Sequence, residues 1–310
     1  PGKGIIILSQ PLPIIFNPEC HPLGNLLCKA LDAEPGNLEE HLFPDGESYL
    51  RIKTDVTDRL CLILMDLSHP NRKFLPLSFL CQTLREFEVG KIGLIAPYLS
   101  YMRQDRRFHA GEALTSKIFA KFISDQVDWL VTVDPHLHRY HSLDEVYTVP
   151  SRVVQGAPVL AEWLTTEEKL LLVGPDAESE QWVSRIAAQS GHPFVVGEKQ
   201  RYGDRKVAIT LPDLKEINFS TAVIIDDVIS SGHTVLECVK ALKERGVEEI
   251  NCACVHGIFA DEIDKVLLDS GIKQLVTTNT IVHCSNALDV SALLLPAIEE
   301  MIQAKVGEKI

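Results

Sequence analysis

Short apolar runs alternate along the chain with segments in which apolar residues recur every three or four positions. Such runs are typical of strands that are buried on both faces of a parallel sheet. We predict strands at GIIILS, LCLILM, KIGLIAPYL, WLVTVD, KLLLVG, HPFVVG, TAVII and INCACV. The alternation of strands and helices predicts an α/β fold, in which a mainly parallel sheet is flanked by helices.

The helices are marked by their apolar stripes and by the residues that end them. The clearest stripe, at positions i, i+3, i+4 and i+7, consists of Val235, Cys238, Val239 and Leu242. It predicts a helix from Thr234 onward that ends before Gly246, a residue type common just after helix C-termini. Further helices are predicted at residues 23–31, at residues 153–164 and in the C-terminal segment LLLPAIEEM.

The two halves of the chain resemble each other. Leu84-Arg85-Glu86 matches Leu242-Lys243-Glu244, and Ile92 matches Ile250 at the same separation, about half of the chain. A repeat of this length indicates two copies of one α/β domain joined head to tail. With a linker placed near Pro150, the predicted domains are residues 1–149 and residues 150–310.

Composition narrows the class of protein and its partners. A chain of 310 residues with 45% hydrophobic content is large enough for two cores. The net formal charge of −13 repels a nucleic-acid backbone, so no nucleic-acid partner is expected. No apolar run approaches the ~20 residues of a membrane helix, and Ile5–Leu8 is too short for a signal-peptide core. We therefore expect a cytoplasmic protein with no membrane partner.

The stretch TAVIIDDVISSGHT joins a predicted buried strand to the start of a predicted helix. The first turn of a helix offers unpaired backbone N–H groups to an anion. Gly232 allows the backbone to approach a phosphate closely, and hydroxyl donors are available from Ser230, Ser231 and Thr234. The segment therefore predicts a phosphate site, although an ordinary turn between a strand and a helix is the alternative.

Two carboxylates precede this phosphate site. Asp226 and Asp227 can accept hydrogen bonds from neighbouring ribose hydroxyls or hold a hydrated Mg²⁺ ion. A phosphate beside a diol is the chemistry of ribose 5-phosphate. In the first copy of the repeat, His69-Pro70-Asn71-Arg72 replaces the serine-rich loop. Because Pro70 has no backbone donor, we predict that the first copy has lost phosphate binding.

Polar clusters also follow other predicted strands, at the edge where open α/β sheets bind ligands. The segment Arg103–Arg107 contains three arginines, whose guanidinium groups suit polyphosphate oxygens, although a solvated charged loop is the alternative. Asp134-Pro135-His136 and Asp176 follow two further strands. Carboxylates and an imidazole in these positions suit a magnesium polyphosphate. His256, within a predicted strand, is expected to be structural.

Two other polar segments allow a structural and a functional interpretation. FPDGE at 43–47 is a typical hairpin turn. It could also clamp an adenine, with Phe43 stacking on the ring and the carboxylates of Asp45 and Glu47 accepting from the amino group. GEKQRYGDRK at 197–206 is either a surface loop or a cationic lid that closes over a polyphosphate and excludes water.

These five separated motifs are similar to those of ribose-phosphate pyrophosphokinases, the synthetases of 5-phosphoribosyl 1-diphosphate (PRPP). The short connection FHAGEALTSK after Arg107 resembles the archaeal type of this family. TAVIIDDVISSGHT by itself also resembles the PRPP loop of type I phosphoribosyltransferases. The resemblance implies two tandem type I phosphoribosyltransferase-like domains. It covers nearly the whole chain, and the motifs occur in family order.

The resemblance implies a role for each matching residue. It implies ATP binding by Phe43, Asp45, Glu47, Arg103, Gln104 and Asp105; ribose 5-phosphate binding by Asp226, Asp227, Ser230, Ser231, Gly232, His233 and Thr234; Mg²⁺ binding by His136 and Asp176; and catalysis by Lys199 and Arg201. The chain departs from the family pattern at Glu178 and Ser179, where glycines are usual, and at His233, where a small residue is usual.

The implied activity is transfer of the diphosphoryl group of MgATP to the C1 hydroxyl of ribose 5-phosphate, giving PRPP and AMP. The resemblance also implies a homo-oligomer that is built from dimers or is a hexamer, with the nucleotide site shared between subunits. Two alternatives remain open at this point. One is a catalytically silent homologue that regulates or binds an active synthetase, and the other is a phosphoribosyltransferase that consumes PRPP.

Overall fold

The computed structural model describes residues 11–137, 139–202 and 206–304, without the side chains of residues 201–207. The predicted strand GIIILS lies outside these residues. The chain divides into two compact units. Unit 1 contains the described residues up to Thr132 together with Arg139–Arg152 and the segment from Leu295, whereas unit 2 contains Val133–His138 and Val153–Leu294. The predicted boundary at residues 149 and 150 stays a prediction.

The first sheet has six strands and carries one hairpin. The elements of this half of the chain are β1 (Ile14–Phe16), α1 (Leu23–Ala30), β2 (Glu34–Pro35), β3 (Leu38–Leu42), β4 (Ser48–Ile52), β5 (Leu60–Leu64), α2 (Pro70–Glu86), β6 (Lys91–Ala96), α3 (Thr115–Ser124), β7 (Trp129–Val133) and β8 (Ser151–Val154). The strand order is β2-β1-β5-β6-β7-β8, and β3 pairs with β4 as a separate antiparallel hairpin.

The second sheet repeats this plan. Its half of the chain contains α4 (Ala157–Leu164), β9 (Leu170–Gly174), α5 (Glu180–Ser190), β10 (Phe194–Val196), β11 (Glu198–Tyr202), β12 (Lys206–Thr210), β13 (Thr221–Ile229), α6 (His233–Glu244), β14 (Ile250–Gly257), α7 (Ile263–Asp269), β15 (Ile272–Thr278) and β16 (Asn286–Leu288), and the last helix is α8 (Ser291–Gln303). The strand order is β10-β9-β13-β14-β15-β16, and β11 pairs with β12 as an antiparallel hairpin.

The two sheets have the same topology, so the predicted internal repeat is confirmed. In both, the second strand along the chain lies at an edge beside the first, and the other four strands follow in sequence. In both, a hairpin is inserted between the second and third strands of the sheet. FPDGE and the lysine-arginine segment therefore occupy equivalent hairpins in the two halves of the chain.

The predicted fold class is confirmed. Within each six-stranded sheet the neighbouring strands whose register is described run parallel, and helices accompany each sheet. Two local predictions differ from the structure. The predicted helix at 153–164 begins only at Ala157, because Val153 and Val154 belong to β8. In addition, β13 continues through Asp226 and Asp227 instead of ending before them. None of the described helices is long and apolar enough to cross a membrane.

The acidic residue in the loop after β5 forms an ion pair with a lysine of the same unit. Because Ile92 matches Ile250 in the repeat, Ile95 matches Ala253. Leu64 pairs with Ile95 and Ile225 pairs with Ala253, so Asp66, two residues after Leu64, corresponds to Asp227. The Asp66 side chain is 5% exposed, and its Oδ1 accepts a hydrogen bond from Lys73 Nζ at 2.9 Å. The same ammonium group lies 2.7 Å from a carboxylate oxygen of Glu19.

The start of α2 also differs from the start of α6. His69, just before α2, has a φ of 51°, and Pro70 is the first residue of the helix. Pro70 therefore removes one backbone donor from the first turn, while the Lys73 ammonium neutralises the acidic residue of the loop. Both features support the prediction that the first copy no longer binds a sugar phosphate.

We expect Lys73→Met to lower the free energy of unfolding by about 3 kcal/mol, because it leaves the Asp66 carboxylate buried without its cation. The matched control is Lys121→Met. Lys121 pairs with Asp125 on the surface, where the two side chains are 71% and 59% exposed, so its removal should cost less than about 0.5 kcal/mol. Urea denaturation measures both values, and equal losses would contradict a buried ion pair.

Candidate active site

The loop between β13 and α6 leads directly into the N-terminus of α6, which has 12 residues. Gly232 is the N-cap residue, and because it has no side chain, it cannot itself cap the first-turn N–H groups of α6. Ser230 is half-buried and Ser231 is exposed, whereas His233 is exposed as the first residue of the helix. The first-turn N–H groups and the hydroxyls of this loop are suited to an anion, as the sequence predicts.

Gly232 is required by backbone conformation and by space. Its φ of 69° lies in the left-handed region that disfavours side chains. A Cβ atom at this position would lie 2.4 Å from Cγ1 of Ile263, the first residue of α7. The backbone of the loop therefore passes closer to α7 than any other residue type would allow.

The acidic pair lies inside β13 and is partly accessible. Nδ1 of His136 lies 2.6 Å from Oδ2 of Asp227, and these side chains are 18% and 25% exposed. Burial opposes ionisation of Asp227, yet the hydrogen bond and charge of the His136 imidazole outweigh it and lower the Asp227 pKa to about 2. Burial and the adjacent charge of Asp227 raise the pKa of Asp226 well above its usual value.

His136 is carried by a turn with unusual backbone angles, which we call the 134–136 turn. Asp134 has a φ of 34° and His136 a φ of 55°. The Asp134 N–H group donates to the Val154 carbonyl at 3.0 Å, and Asp134 Oδ2 accepts from the Gly156 N–H group at 2.7 Å. Burial raises the Asp134 pKa to about 6. The sequence placed Asp134 after a strand but gave no sign of its contact with Gly156.

Lys199 reaches the same part of unit 2 from the hairpin strand β11. Its Nζ lies 3.4 Å from Asp176 Oδ2 and 3.4 Å from Thr234 Oγ1. The structure thus brings together three residues to which the family resemblance assigns catalysis, Mg²⁺ binding and sugar-phosphate binding. The second predicted catalytic residue, Arg201, belongs to the same strand, but its side chain lies outside the described residues.

The segment after β9 accommodates the two residues that depart from the family pattern. Residues 177–179 form a turn of 3₁₀ helix, and Ser179 has a φ of −83° and a ψ of −11°, which any residue can adopt. The Ser179 hydroxyl donates to the Asp176 carbonyl at 2.6 Å, and the Glu178 N–H group donates to Asp176 Oδ1 at 3.1 Å. Glycine is therefore not needed here to place the Asp176 carboxylate.

The FPDGE segment forms the tip of the β3–β4 hairpin. The Phe43 N–H group donates to the Glu47 carbonyl at 2.8 Å, and Asp45 Oδ1 accepts from the Glu47 N–H group at 3.2 Å. Gly46 has a φ of 90°. The side chains of Phe43, Asp45 and Glu47 are all exposed. The hairpin turn is thus confirmed, and its three side chains are accessible to a ligand.

The predicted ATP-binding residues after β6 have different environments. Arg103 is exposed and Gln104 is half-buried, with its Oε1 accepting from the Thr115 hydroxyl at 2.7 Å. The Asp105 side chain is 1% exposed and lies 2.6 Å from NH1 of Arg139. Asp105 therefore anchors this loop within unit 1, and its predicted contact with ATP stays a prediction.

A second group of ligand-type side chains in unit 2 has an explanation without a metal ion. Asp264, His283 and Cys284 lie close together, as a metal site requires. However, His283 Nδ1 accepts a hydrogen bond from the Ser285 N–H group at 3.1 Å, so the ring proton is on Nε2. Nε2 lies 3.3 Å from Asp264 Oδ2, so its N–H group donates toward this carboxylate.

We expect Gly232→Ala to destabilise the protein more than Gly246→Ala. Both residues have left-handed φ values, 69° and 79°, but a Cβ would collide with Ile263 only at Gly232, since no atom lies within 4 Å at Gly246. The backbone strain of either change costs about 1 kcal/mol, and the collision at Gly232 adds to it. Thermal unfolding compares the variants, and equal losses of stability would mean that α7 does not confine the loop.

Comparison with known proteins identifies the family of the chain. Residues 12–126 match the model of the N-terminal domain of ribose phosphate pyrophosphokinase, and residues 142–286 match the phosphoribosyl transferase domain. The ribose-phosphate pyrophosphokinase of Sulfurisphaera tokodaii is 34% identical over 260 residues, which are 82% of this chain and 88% of the relative. That of Methanopyrus kandleri is 30% identical over 283 residues, which are 90% of this chain and 96% of the relative.

A solved structure shows the same fold. The crystal structure of phosphoribosylpyrophosphate synthetase from Mycobacterium smegmatis matches with a TM-score of 0.80 and 21% identity, covering 94% of this chain and 99% of the other. The predicted pair of phosphoribosyltransferase-like domains is thereby confirmed. On the evidence of the family models and of the relatives, the chain belongs to the ribose-phosphate pyrophosphokinase family.

Proposed function

We propose that this chain transfers the diphosphoryl group of ATP to the C1 hydroxyl of ribose 5-phosphate, giving PRPP and AMP. The observation that carries the proposal is the cluster in unit 2, where Lys199 Nζ lies 3.4 Å from Thr234 at the open end of α6. The nearby acidic pair inside β13 supplies acceptors for a diol. Family membership and the names of the relatives support the same reaction.

The sugar phosphate binds between the start of α6 and the acidic pair. The N–H groups of the first turn and the loop hydroxyls of Ser230, Ser231 and Thr234 receive the 5-phosphate, with the helix dipole adding a favourable field. Asp227, with its lowered pKa, is an anion and accepts hydrogen bonds from the ribose hydroxyls. Phosphate and diol then fix the C1 hydroxyl relative to Lys199.

The side chains around the acidic pair fit Mg²⁺. The ion prefers carboxylate and water oxygens, and unit 2 offers the partly accessible carboxylates of Asp176 and Asp227. His136 lies against Asp227, so it orients that carboxylate in addition to any direct role. When bound, Mg²⁺ neutralises polyphosphate charge and helps to orient the groups that react.

Unit 1 supplies the nucleotide side of the proposal. The exposed hairpin tip offers Phe43 for stacking on adenine, with Asp45 and Glu47 as acceptors for its amino group. Arg103 and Gln104 contact the ATP phosphates, and Asp105 keeps their loop in place through Arg139. The proposal includes a dimer-based homo-oligomer in which a neighbouring subunit shares the nucleotide site.

The transfer needs no nucleophile from the protein. The C1 oxygen forms a bond to the β-phosphorus of ATP while the bond from that phosphorus to the α–β bridging oxygen breaks, so AMP leaves and the hydroxyl proton is released. Such a reaction depends mainly on positioning and on neutralisation of charge. Lys199 and Arg201 supply positive charge to the oxygens as the transition state forms.

A direct assay tests the proposed function. The purified chain is incubated with ATP, Mg²⁺ and ribose 5-phosphate, and PRPP and AMP are quantified, with other nucleotides and sugar phosphates in parallel. Equal amounts of PRPP and AMP are expected. Formation of ADP in place of AMP, or turnover that requires PRPP and a free base, would contradict the proposal. A folded protein with no AMP formation would indicate a catalytically silent member of the family.

We expect Lys199→Ala to lower kcat by about a hundred- to a thousand-fold and to change the Kd for ribose 5-phosphate less than about twofold. The reason is that the lysine acts on charge that develops only in the transition state. Lys240→Ala removes an exposed lysine of α6 and should leave both quantities unchanged. A loss of sugar affinity as large as the loss of kcat would contradict this role.

We expect Asp227→Asn to weaken ribose 5-phosphate binding by at least about tenfold, since hydrogen bonds to a charged group are among the stronger ones. Isothermal titration calorimetry measures the affinity without turnover. The control is Asp269→Asn, at the exposed end of α7, which should bind as the original chain does. An unchanged affinity of Asp227→Asn would exclude this carboxylate from the diol site.

A further inference from the structure

His256 is a completely buried residue of β14 to which the proposed reaction gives no role. Its Nε2 lies 3.0 Å from the Val133 carbonyl oxygen and 3.1 Å from the Asp134 carbonyl oxygen. Its Nδ1 lies 2.8 Å from the Thr280 hydroxyl. A buried imidazole that contacts both carbonyls at the start of the 134–136 turn is placed to control that turn.

The hydrogen-bond partners of His256 fix its tautomer. Carbonyl oxygens only accept, so Nε2 must carry the proton and donate it to the 134–136 turn. Nδ1 is then an acceptor for the Thr280 hydroxyl. The Thr280 hydroxyl also lies 3.1 Å from the Val255 carbonyl oxygen, which accepts a shorter hydrogen bond of 2.7 Å from the Thr278 hydroxyl. Both nitrogens of the buried ring are therefore engaged in a defined orientation.

The turn that His256 contacts is held in a conformation that it would not adopt by itself. Both Asp134 and His136 have left-handed φ values, which are unfavourable for residues other than glycine. Such angles persist only where the surroundings impose them. The anchors of this turn are the backbone bond to Val154, the Gly156 N–H group on the Asp134 carboxylate, and the His256 ring.

His256 lies on β14, and Asp227, the acidic residue that the turn contacts, lies on the neighbouring strand β13. In the parallel register of β13 and β14, Val228 is paired with His256, and Asp227 precedes Val228 directly. At the end of the turn, the His136 imidazole contacts the Asp227 carboxylate at 2.6 Å. The turn is thus attached to β14 at its start and to β13 at its end.

We propose that His256 is a positioning residue, which clamps the 134–136 turn to β14 so that the His136 imidazole is held against the Asp227 carboxylate. Its loss allows the turn to relax toward ordinary backbone angles and removes the orientation of Asp227. The consequence for metal and sugar binding rests on the proposed function. The clamp itself does not, and it has a readout that is independent of activity.

The test compares His256→Leu with His256→Gln, whose amide N–H can still donate toward the two carbonyls. Hydrogen exchange is followed at the Asp134 and Gly156 amides, which bond to Val154 and to the Asp134 carboxylate. Binding of Mn²⁺ to the chain without substrates is measured by electron paramagnetic resonance. The control is His192→Leu, which removes a histidine contact to the Leu164 carbonyl at 2.8 Å elsewhere in unit 2.

We expect His256→Leu to accelerate exchange at both amides by about tenfold or more and to weaken Mn²⁺ binding by about tenfold. His256→Gln should stay near the original chain in both measurements, and His192→Leu should change neither. Unchanged exchange in His256→Leu, or the same acceleration in the Leu and Gln variants, would overturn the proposal.

A variant that does not fold leaves the test intact. If His256→Leu does not fold, Thr280→Val takes its place, because it keeps the shape of the side chain and removes the hydroxyl that contacts Nδ1. Faster exchange at the Asp134 and Gly156 amides then supports the clamp, and unchanged exchange contradicts it. If the original chain forms no AMP while exchange responds as expected, the proposed function fails and the clamp stands.

Discussion

The parallel pairing of β13 with β9 and β14 is the constraint on which the rest of unit 2 depends. Residues 222–225 of β13 are buried, and residues 222–224 pair with both neighbouring strands. This pairing brings Asp226 and Asp227 to the end of the sheet where α6 begins, and the two carboxylates lie close enough for the charge of Asp227 to raise the pKa of Asp226. The Asp227 carboxylate then meets His136, and the loop before α6 follows within a few residues.

Much of the architecture is encoded locally, because a strand that is buried on both faces has to be apolar along its length. The secondary-structure predictions are wrong where strand pairing between segments distant in sequence determines the structure. Val153 and Val154 are compatible with a helix, but they extend along the first sheet as β8. The strand β13 runs on through Asp226 and Asp227 because its backbone groups continue to pair with β14, whatever the polarity of the side chains.

The candidate site was predictable where one segment contains its own chemistry, as in the loop that ends at Gly232. The contacts among segments were not. His256 and the carbonyl of Val133 are more than a hundred residues apart, and nothing local to either residue announces the contact. A weak signal did exist in the 134–136 turn, because aspartate and histidine are enriched among residues with left-handed backbone angles. The anchors of that turn become visible only in the folded chain.

The acidic residues at equivalent places in the two copies of the repeat differ in the source of the cation that neutralises them, which in unit 2 is the proposed metal ion. In unit 1 the cation is Lys73, a part of the chain, so it is present at a fixed effective concentration whatever the solution contains. In unit 2 the acidic pair has no comparable lysine on its own helix, and the proposed cation comes from solution. By mass action, the folded state of unit 2 is then stabilised in proportion to the logarithm of metal and substrate concentration. Unit 1 carries the cation of this loop permanently, so the free metal concentration affects the stability of this loop only in unit 2.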